Sequence, residues 1–442
     1  MEEKFQRSYR QPSVKFKKPD NLLLKGGSIY NAEKRQFEKL DIVLAKGKID
    51  KVGVVGEKNF KGKVFDAKGM SIVPGLLDIH VHFREPGRED KETLITGADS
   101  AAAGGFTGVC TMPNTDPATD NREIVEFIKD GFSNHLVDVY PIAAITKGRK
   151  GEQIVEMAEL VDAGVVAFSD DGSAVSNPLV VRRALEYSRM FDTLIIEHCE
   201  DKYLAQNGVM HEGFMSSKLG LAGIPSIAEE LILARDIMLA KYTSGRLHIA
   251  HISTAGAIEL VRRAKADGVQ VTCEVTPHHF TLTDEAIEGY DTNFKMNPPL
   301  RTGEDVKAVI KGLKDGTIDT IATDHAPHTI EDKDVEFDAA PFGVIGLETA
   351  IGLAYSELVR KKKLTFINVI EKMSVNPYRI LGLPVPQFRE GVKANLTVID
   401  TGENWVVDKN DFKSRSRNTP FDGWKLTGRS KAVINKNLFL VN

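Results

Sequence analysis

The chain of 442 residues carries 58 Lys+Arg against 62 Asp+Glu and is 42% hydrophobic, the make-up of a globular protein with enough apolar mass for a sizeable core. Its net charge of −4 offers no concentrated basic face for nucleic acid or an acidic membrane surface, and no run of about 18 apolar residues occurs that could span a bilayer. Three scattered cysteines, Cys110, Cys199 and Cys273, exclude a disulfide framework, and with no apolar leader at the start the expected location is cytoplasmic.

Residues 1–20 are polar and aperiodic and are expected to form a flexible arm. Residues 21–73 change to short β-like runs, LLLKGGSIY, DIVLAKGKIDKVGVVG and KVFDAKGMSIV, parted by Gly, Asn and Lys turns. The end of the chain returns to that character in ANLTVID, WVVD and KAVINKNLFLV. Residues 21–73 and 385–442 are therefore expected to build one small β-sandwich around an inserted middle.

That middle, residues 74–384, alternates eight apolar strand-like runs with amphipathic stretches such as REIVEFIKDGF, EQIVEMAELVDAG and AEELILARDIMLAKY. The runs are GLLDIHVHF, TGVCTM, VDVYPIAAIT, VVAFSD, TLIIEHC, LHIAHIS, VQVTCEV and DTIATD. Eight βα repeats in roughly 300 residues place the catalytic unit in the α/β class as a TIM-like (β/α)8 barrel. A doubly wound open sheet would want a Gly-rich phosphate loop after its first strand, and neither GxGxxG nor GxxxxGKS/T occurs.

In such barrels chemistry sits at the C-terminal ends of the strands, so the polar residues closing each run carry the functional signal. The first run ends in His80, His82 and Arg84, which alternation places on one side; others end in Asp170-Asp171, Glu197-His198, His251 and Asp324-His325. A single strand-end histidine is more often a hydrogen-bonded core residue than a ligand. Four histidines and two aspartates at one end of five strands reverse those odds, because burying them unpaired costs several kcal/mol each. Imidazole and carboxylate donors without a cysteine pair suit zinc, with manganese or cobalt as substitutes. Five or six ligands exceed one tetrahedral site, so two metals sharing a carboxylate, and hydrolytic chemistry, are expected.

DIHVHFREPG, TMPNT, FSDDG, EHCED, HIST, VTPHH, KMNPPLR, ATDHAPH and PFGVIGLET together resemble the bacterial-type dihydroorotases of the amidohydrolase superfamily, over roughly residues 21–442. Hydantoinases and allantoinases share the HxH element, often with a lysine that is carbamylated on the fourth strand; here that strand ends in Asp-Asp-Gly. The resemblance implies reversible, zinc-dependent cyclisation of N-carbamoyl-L-aspartate to L-dihydroorotate in pyrimidine biosynthesis, with one or two metals per subunit. By motif, His80 and His82 would bind one metal with Asp324, His198 and His251 the second, and Asp171 would bridge. Asp170 is the alternative at that position, otherwise a helix cap or a support for the ligands.

Asp324 would also shuttle the proton as catalytic acid and base. Arg84 offers the planar fork that binds a carboxylate, and a neutral ureide would give no reason for it. The resemblance adds His82, Asn114, Asn297, His328 and the backbone of Phe342 and Gly343 to substrate recognition. His278, His279 and His325 are left outside the ligand set, and Cys110 and Cys199 are expected to be inert. Residues 329–341 are either a mobile cover or an ordinary solvated loop. A homodimer is the expected oligomer, aspartate transcarbamoylase a candidate associate, and a catalytically silent scaffold the competing reading, which should have lost ligands.

Overall fold

The protein is described by a computed structural model covering residues 12–56 and 60–442. Eight parallel strands form the centre: β1 Leu76–Val81, β2 Phe106–Thr111, β3 Asp138–Ala143, β4 Ala167–Ser169, β5 Leu194–Glu197, β6 Leu247–Ile249, β7 Val271–Val275 and β8 Thr320–Ile321. They pair in chain order, and the ring closes where His82 N donates to His325 O at 2.8 Å. All eight coincide with the apolar runs of the sequence. The interior of the cylinder is filled by Leu77, Ile79, Cys110, Ile142, Ala167 and Ile196, among others, each delivered by the alternation of its strand.

Leu77 and Ile79 face that interior, so strict alternation would send His80 outward. The ladder to β2 instead slips between Asp78 and Val81, and the bulge turns His80 and His82 into the mouth. The stretch EQIVEMAELVDAG, expected as one helix, is helical only over Met157–Ala163; Ile154 bridges Thr146 instead, and this pairing shapes the loop after β3.

Strands from both ends of the chain form two facing sheets. One orders Lys48–Gly53, Asp41–Ala45, Asn21–Lys25 and Lys63–Asp66; the other runs Leu438–Val441, Lys425–Asn435, Asn395–Val406, Ser71–Pro74, Ser28–Asn31 and Gln36–Lys39. Leu22, Leu24, Ile42, Ile72, Leu396 and Phe439 fill the space between them. The segment between Val406 and Lys425 leaves this sandwich. Phe412, Phe421 and Trp424 pack with Met296, Leu300 and Val344 against the barrel mouth, which takes their apolar surface out of water.

The flexible-arm expectation needs correction for its second half. Residues 12–20 are seated: Ser13 donates from both N and Oγ to Asp99 Oδ2, at 2.6 and 2.7 Å, and Lys17 exchanges two backbone bonds with Phe439. Phe16 packs edge-on against His135. Polar sequence hid this docking, since its partners lie more than eighty residues away. Residues 1–11 lie outside the described residues.

Candidate active site

His80, His82, Asp171, His198, His251 and Asp324 are brought together, all buried, at the C-terminal mouth of the barrel. His80 Nε2 lies 3.2 Å from His82 Nε2, and His198 Nδ1 lies 3.0 Å from His251 Nε2. Asp171 stands between the two pairs: its Oδ2 is 3.6 and 3.4 Å from His80 and His82, and its Oδ1 is 3.6 Å from each of His198 and His251. Asp324 Oδ1 closes the first group, 3.0 Å from His82 and 3.6 Å from His80.

Two features of this cluster fit a cation. Donors bound at 2.0–2.1 Å in tetrahedral array are separated by about 3.4 Å, the spacing seen throughout. The ring protons are also committed elsewhere: His80 Nδ1 bonds Glu274 Oε1 at 2.5 Å and His82 Nδ1 bonds Asn114 Oδ1 at 2.8 Å, so in the neutral rings both Nε2 lone pairs face one point. Asp171 Oδ1 is buried and has no hydrogen-bond partner among the described residues.

The electrostatics show the same demand for positive charge. Burial opposes ionisation of Asp171 and Asp324, yet the surrounding histidines hold both carboxyls below their usual range. Against burial, Asp171 and Glu274 hold the His80 imidazolium well above an ordinary histidine, whereas burial leaves His82 lowered. His251 and Asp324 also sit at positive φ, 31° and 49°, strained backbone that costs of order 1–3 kcal/mol each and aims both side chains inward.

Asp170 is turned away. Its Oδ1 accepts from the Ile145 and Thr146 amides at 2.9 and 3.0 Å, and it bonds the Thr146 hydroxyl, so it ties the loop after β3 to the end of β4. Glu274, which sequence reading missed, lies beneath the cluster. Besides His80 it accepts from His248 Nε2 at 3.2 Å and from the backbone N of His251 at 3.3 Å. Burial disfavours its charge, but His80 and His248 hold its carboxyl down to about 2. An acid at the fourth position of VTCEV, on the inward register of a buried strand, was the available signal.

Above the cluster opens a cavity of about 380 Å³ lined by Arg84, Asn114, Asn297, His328, Phe342 and Gly343 together with five of the six ligand candidates. Burial lowers Arg84 to about 10, still a cation at neutral pH, and its Nε donates to Pro327 O at 3.2 Å. Asn297 Nδ2 donates to Glu200 Oε2 at 2.9 Å. Gly343 has φ 133°, and a Cβ there would stand 2.8 Å from Ala326 Cβ and 3.1 Å from His328 Nε2, so only glycine fits.

Asn418, also missed, donates from Nδ2 to Ala326 O and Gly343 O, both at 3.0 Å, and accepts from His328 N. It arrives from the C-terminal segment, out of reach of any strand pattern. The loop at 329–341 is pinned rather than loose. Lys333 donates to the carbonyls of Thr292, Lys295 and Pro341, and Lys295 to those of Phe337 and Asp338.

His278, His279 and His325 have other surroundings. His279 bonds Thr276 and the Pro298 carbonyl, His325 faces Glu92, and burial lowers His278 to about 4. The three cysteines are buried, and burial pushes each thiol up.

A (β/α)8 barrel flanked by a β-sandwich, with histidines and aspartates gathered in this order at its mouth, defines a hydrolase of the amidohydrolase superfamily. The fold is that of L-hydantoinase from Arthrobacter aurescens (TM-score 0.84, 24% identity, 94% of each chain covered) and dihydropyrimidinase from Brevibacillus agri (TM-score 0.83, 20% identity, 96% and 95% covered). Residues 69–257 match the family described as dihydro-orotase-like. The dihydroorotases of Pelotomaculum thermopropionicum and Acetivibrio thermocellus are 53% and 50% identical, over 93% and 92% of this chain and 96% of each relative. The chain belongs to the dihydroorotase family, cyclic amidohydrolases that interconvert N-carbamoyl-L-aspartate and L-dihydroorotate in pyrimidine biosynthesis.

Proposed function

We propose that the mouth of this barrel carries out that interconversion with His80, His82 and Asp324 holding one divalent cation, His198 and His251 a second, and Asp171 bridging them. The carrying observation is the division of Asp171, one oxygen toward each histidine pair. Nitrogen and oxygen donors at tetrahedral spacing favour zinc. When bound, such a cation pair lowers the pKa of water and polarises the ring carbonyl.

The chain's own groups supply the rest. Arg84 takes the substrate carboxylate in its planar fork, and Asn114 and Asn297 offer the amide donors and acceptors that a ureide needs. In ring opening, a carboxylate oxygen of Asp324 accepts the proton of the attacking water and returns it to the departing ring nitrogen. Phe342 and Gly343 form the wall against the ring. Closure runs in reverse: the dianionic open chain takes up one proton and releases one water to give the monoanionic ring, so acidic pH favours cyclisation and alkaline pH hydrolysis.

The unit we assign to this chemistry spans residues 74–384, with the sandwich of 21–73 and 385–442 as its support. A partner copy is proposed as well. The outward face of helix α1, Ser226–Thr243, exposes Ile227, Leu231, Met238 and Tyr242, where the helix Gly303–Asp315 shows Glu304, Lys307 and Lys311. Exposed apolar side chains in one row along a helix are the mark of a contact surface. The steps of four, seven and four residues read the same in both directions, as a twofold contact of antiparallel helices requires. Aspartate transcarbamoylase, which makes N-carbamoyl-L-aspartate, is the enzyme partner the substrate suggests, and the expected setting is the cytoplasm; among the described residues no helix is long and apolar enough to cross a membrane.

Metal analysis of the purified protein with a dihydroorotate ring-opening assay tests the reading. One or two zinc ions per subunit and activity abolished by chelation are expected; a metal-free, inactive protein overturns it in favour of a scaffold.

A further inference from the structure

His328, on the wall of the cavity, has both ring nitrogens engaged. One bonds the Phe342 carbonyl, Nε2 to O at 2.8 Å; the other, Nδ1, lies 3.0 Å from Lys91 Nζ. An ammonium has protons to give and no lone pair to accept with, so Nδ1 must be bare and the ring proton must sit on Nε2. Lys91 is itself buried, 8% exposed, and its Nζ also reaches Asp332 Oδ2 at 3.0 Å. Asp332 caps the short helix Ile330–Lys333, with Thr329 as its partner. The lysine thus joins the loop after β1 to the loop after β8 directly behind the substrate wall.

We propose that Lys91 is a positioning residue of the dihydroorotase reaction. It holds the His328 ring in the tautomer with Nδ1 bare and the Nε2 proton aimed at Phe342 O, and so fixes the backbone that faces the ureide ring. The proposal rests on the assignment of His328, Phe342 and Gly343 to the substrate wall.

The charges facing the ring show what the lysine decides. Burial, the largest influence, works with Arg84, Lys91 and Lys333 against an imidazolium and brings His328 to about 2, so burial and Arg84 keep the ring neutral with or without the lysine. The ammonium decides which nitrogen carries the proton. Without it, Nδ1 can take the proton and turn it toward Asp332 Oδ2, 3.7 Å away, leaving a bare Nε2 against the Phe342 oxygen.

The test compares Lys91→Met, Lys91→Arg and the double variant Lys91→Met/Asp332→Asn as metal-loaded enzymes. The first readout is the pair of His328 ring nitrogen resonances in NMR, assigned by their loss in His328→Asn. We expect the Nε2–H tautomer in the parent and in Lys91→Arg, a move toward Nδ1–H in Lys91→Met, and a return toward Nε2–H in the double variant. The second readout is steady-state kinetics, where Lys91→Met should raise KM about tenfold and leave kcat within about threefold. A ring that stays Nε2–H in Lys91→Met overturns the proposal, as does an Arg variant that shifts like Met. A tautomer that moves while KM matches the parent supports the role of Lys91 on the imidazole and instead removes His328 from substrate recognition.

Discussion

Replacing Glu274 by glutamine should weaken metal binding without touching a ligand. The carboxylate takes the His80 proton with one oxygen and faces His248 Nε2 with the other, while also receiving the His251 amide. A glutamine keeps one acceptor and turns an NH2 toward the second imidazole, so donor meets donor on one side. Charge-assisted hydrogen bonds contribute about 1.5–3 kcal/mol each, and one of them is lost outright. Since 1.4 kcal/mol is about tenfold in an equilibrium constant, metal affinity should fall about 10- to 100-fold. The assay is zinc competition against a chromophoric chelator on protein stripped of metal, with circular dichroism to verify folding. Activity at saturating zinc should recover to within about tenfold of the parent, because the ligands themselves are unchanged. Affinity within twofold of the parent would refute the reasoning that Glu274 orients His80 and supports His251.

Arg84→Ala should raise KM for dihydroorotate by about 100-fold while leaving zinc content unchanged, since an arginine–carboxylate fork is lost and nothing else in the cavity replaces it; steady-state kinetics with metal analysis measure this. Asp324→Asn should cut kcat by about 10²- to 10⁴-fold, and a smaller loss in metal-loaded enzyme would count against proton shuttling there. Metal-free protein should show a stability plateau between about pH 4.5 and 6.5. Glu274 is held down to about 2, so its contribution is complete above 4.5 and disappears in acid; His80 is held above 6.5, so its contribution is complete below 6.5 and is lost as pH rises. Zinc should restore the alkaline side, and thermal melts with and without metal would show it; a flat alkaline limb in stripped protein contradicts the sign. Leu231→Arg with Met238→Glu should yield an active monomer in analytical ultracentrifugation, whereas an unchanged oligomer would move the interface elsewhere.

The barrel was legible because each strand is a short apolar run ending in polar residues, and the gathering of histidines and aspartates was legible because those endings repeat His and Asp at one rim. The choice of Asp171 over Asp170 was beyond periodicity: it depends on which carboxylate the amides of Ile145 and Thr146 capture, a contact between loops. Glu274 and Lys91 escaped notice for the same reason, since an isolated acid in a strand or a lysine in a polar loop carries no mark until its partner arrives from another element. The arm at 12–20 looked free because its anchoring residues are small and polar. Even the alternation that placed His80 and His82 together succeeded through a bulge that the sequence does not announce.

The segment between Val406 and Lys425 has a consequence for how the molecule is made. Asn418 clamps Ala326 and Gly343, while Ser414 and Arg415 satisfy Glu92 on the loop after β1. The rim thus waits for the last part of the chain, and its contacts to Glu92 close sequence separations above 300 residues. Such long-range closure is slow, and it makes substrate recognition the last competence acquired: a nascent polypeptide with all eight barrel strands already emerged still lacks the clasp that shapes its pocket.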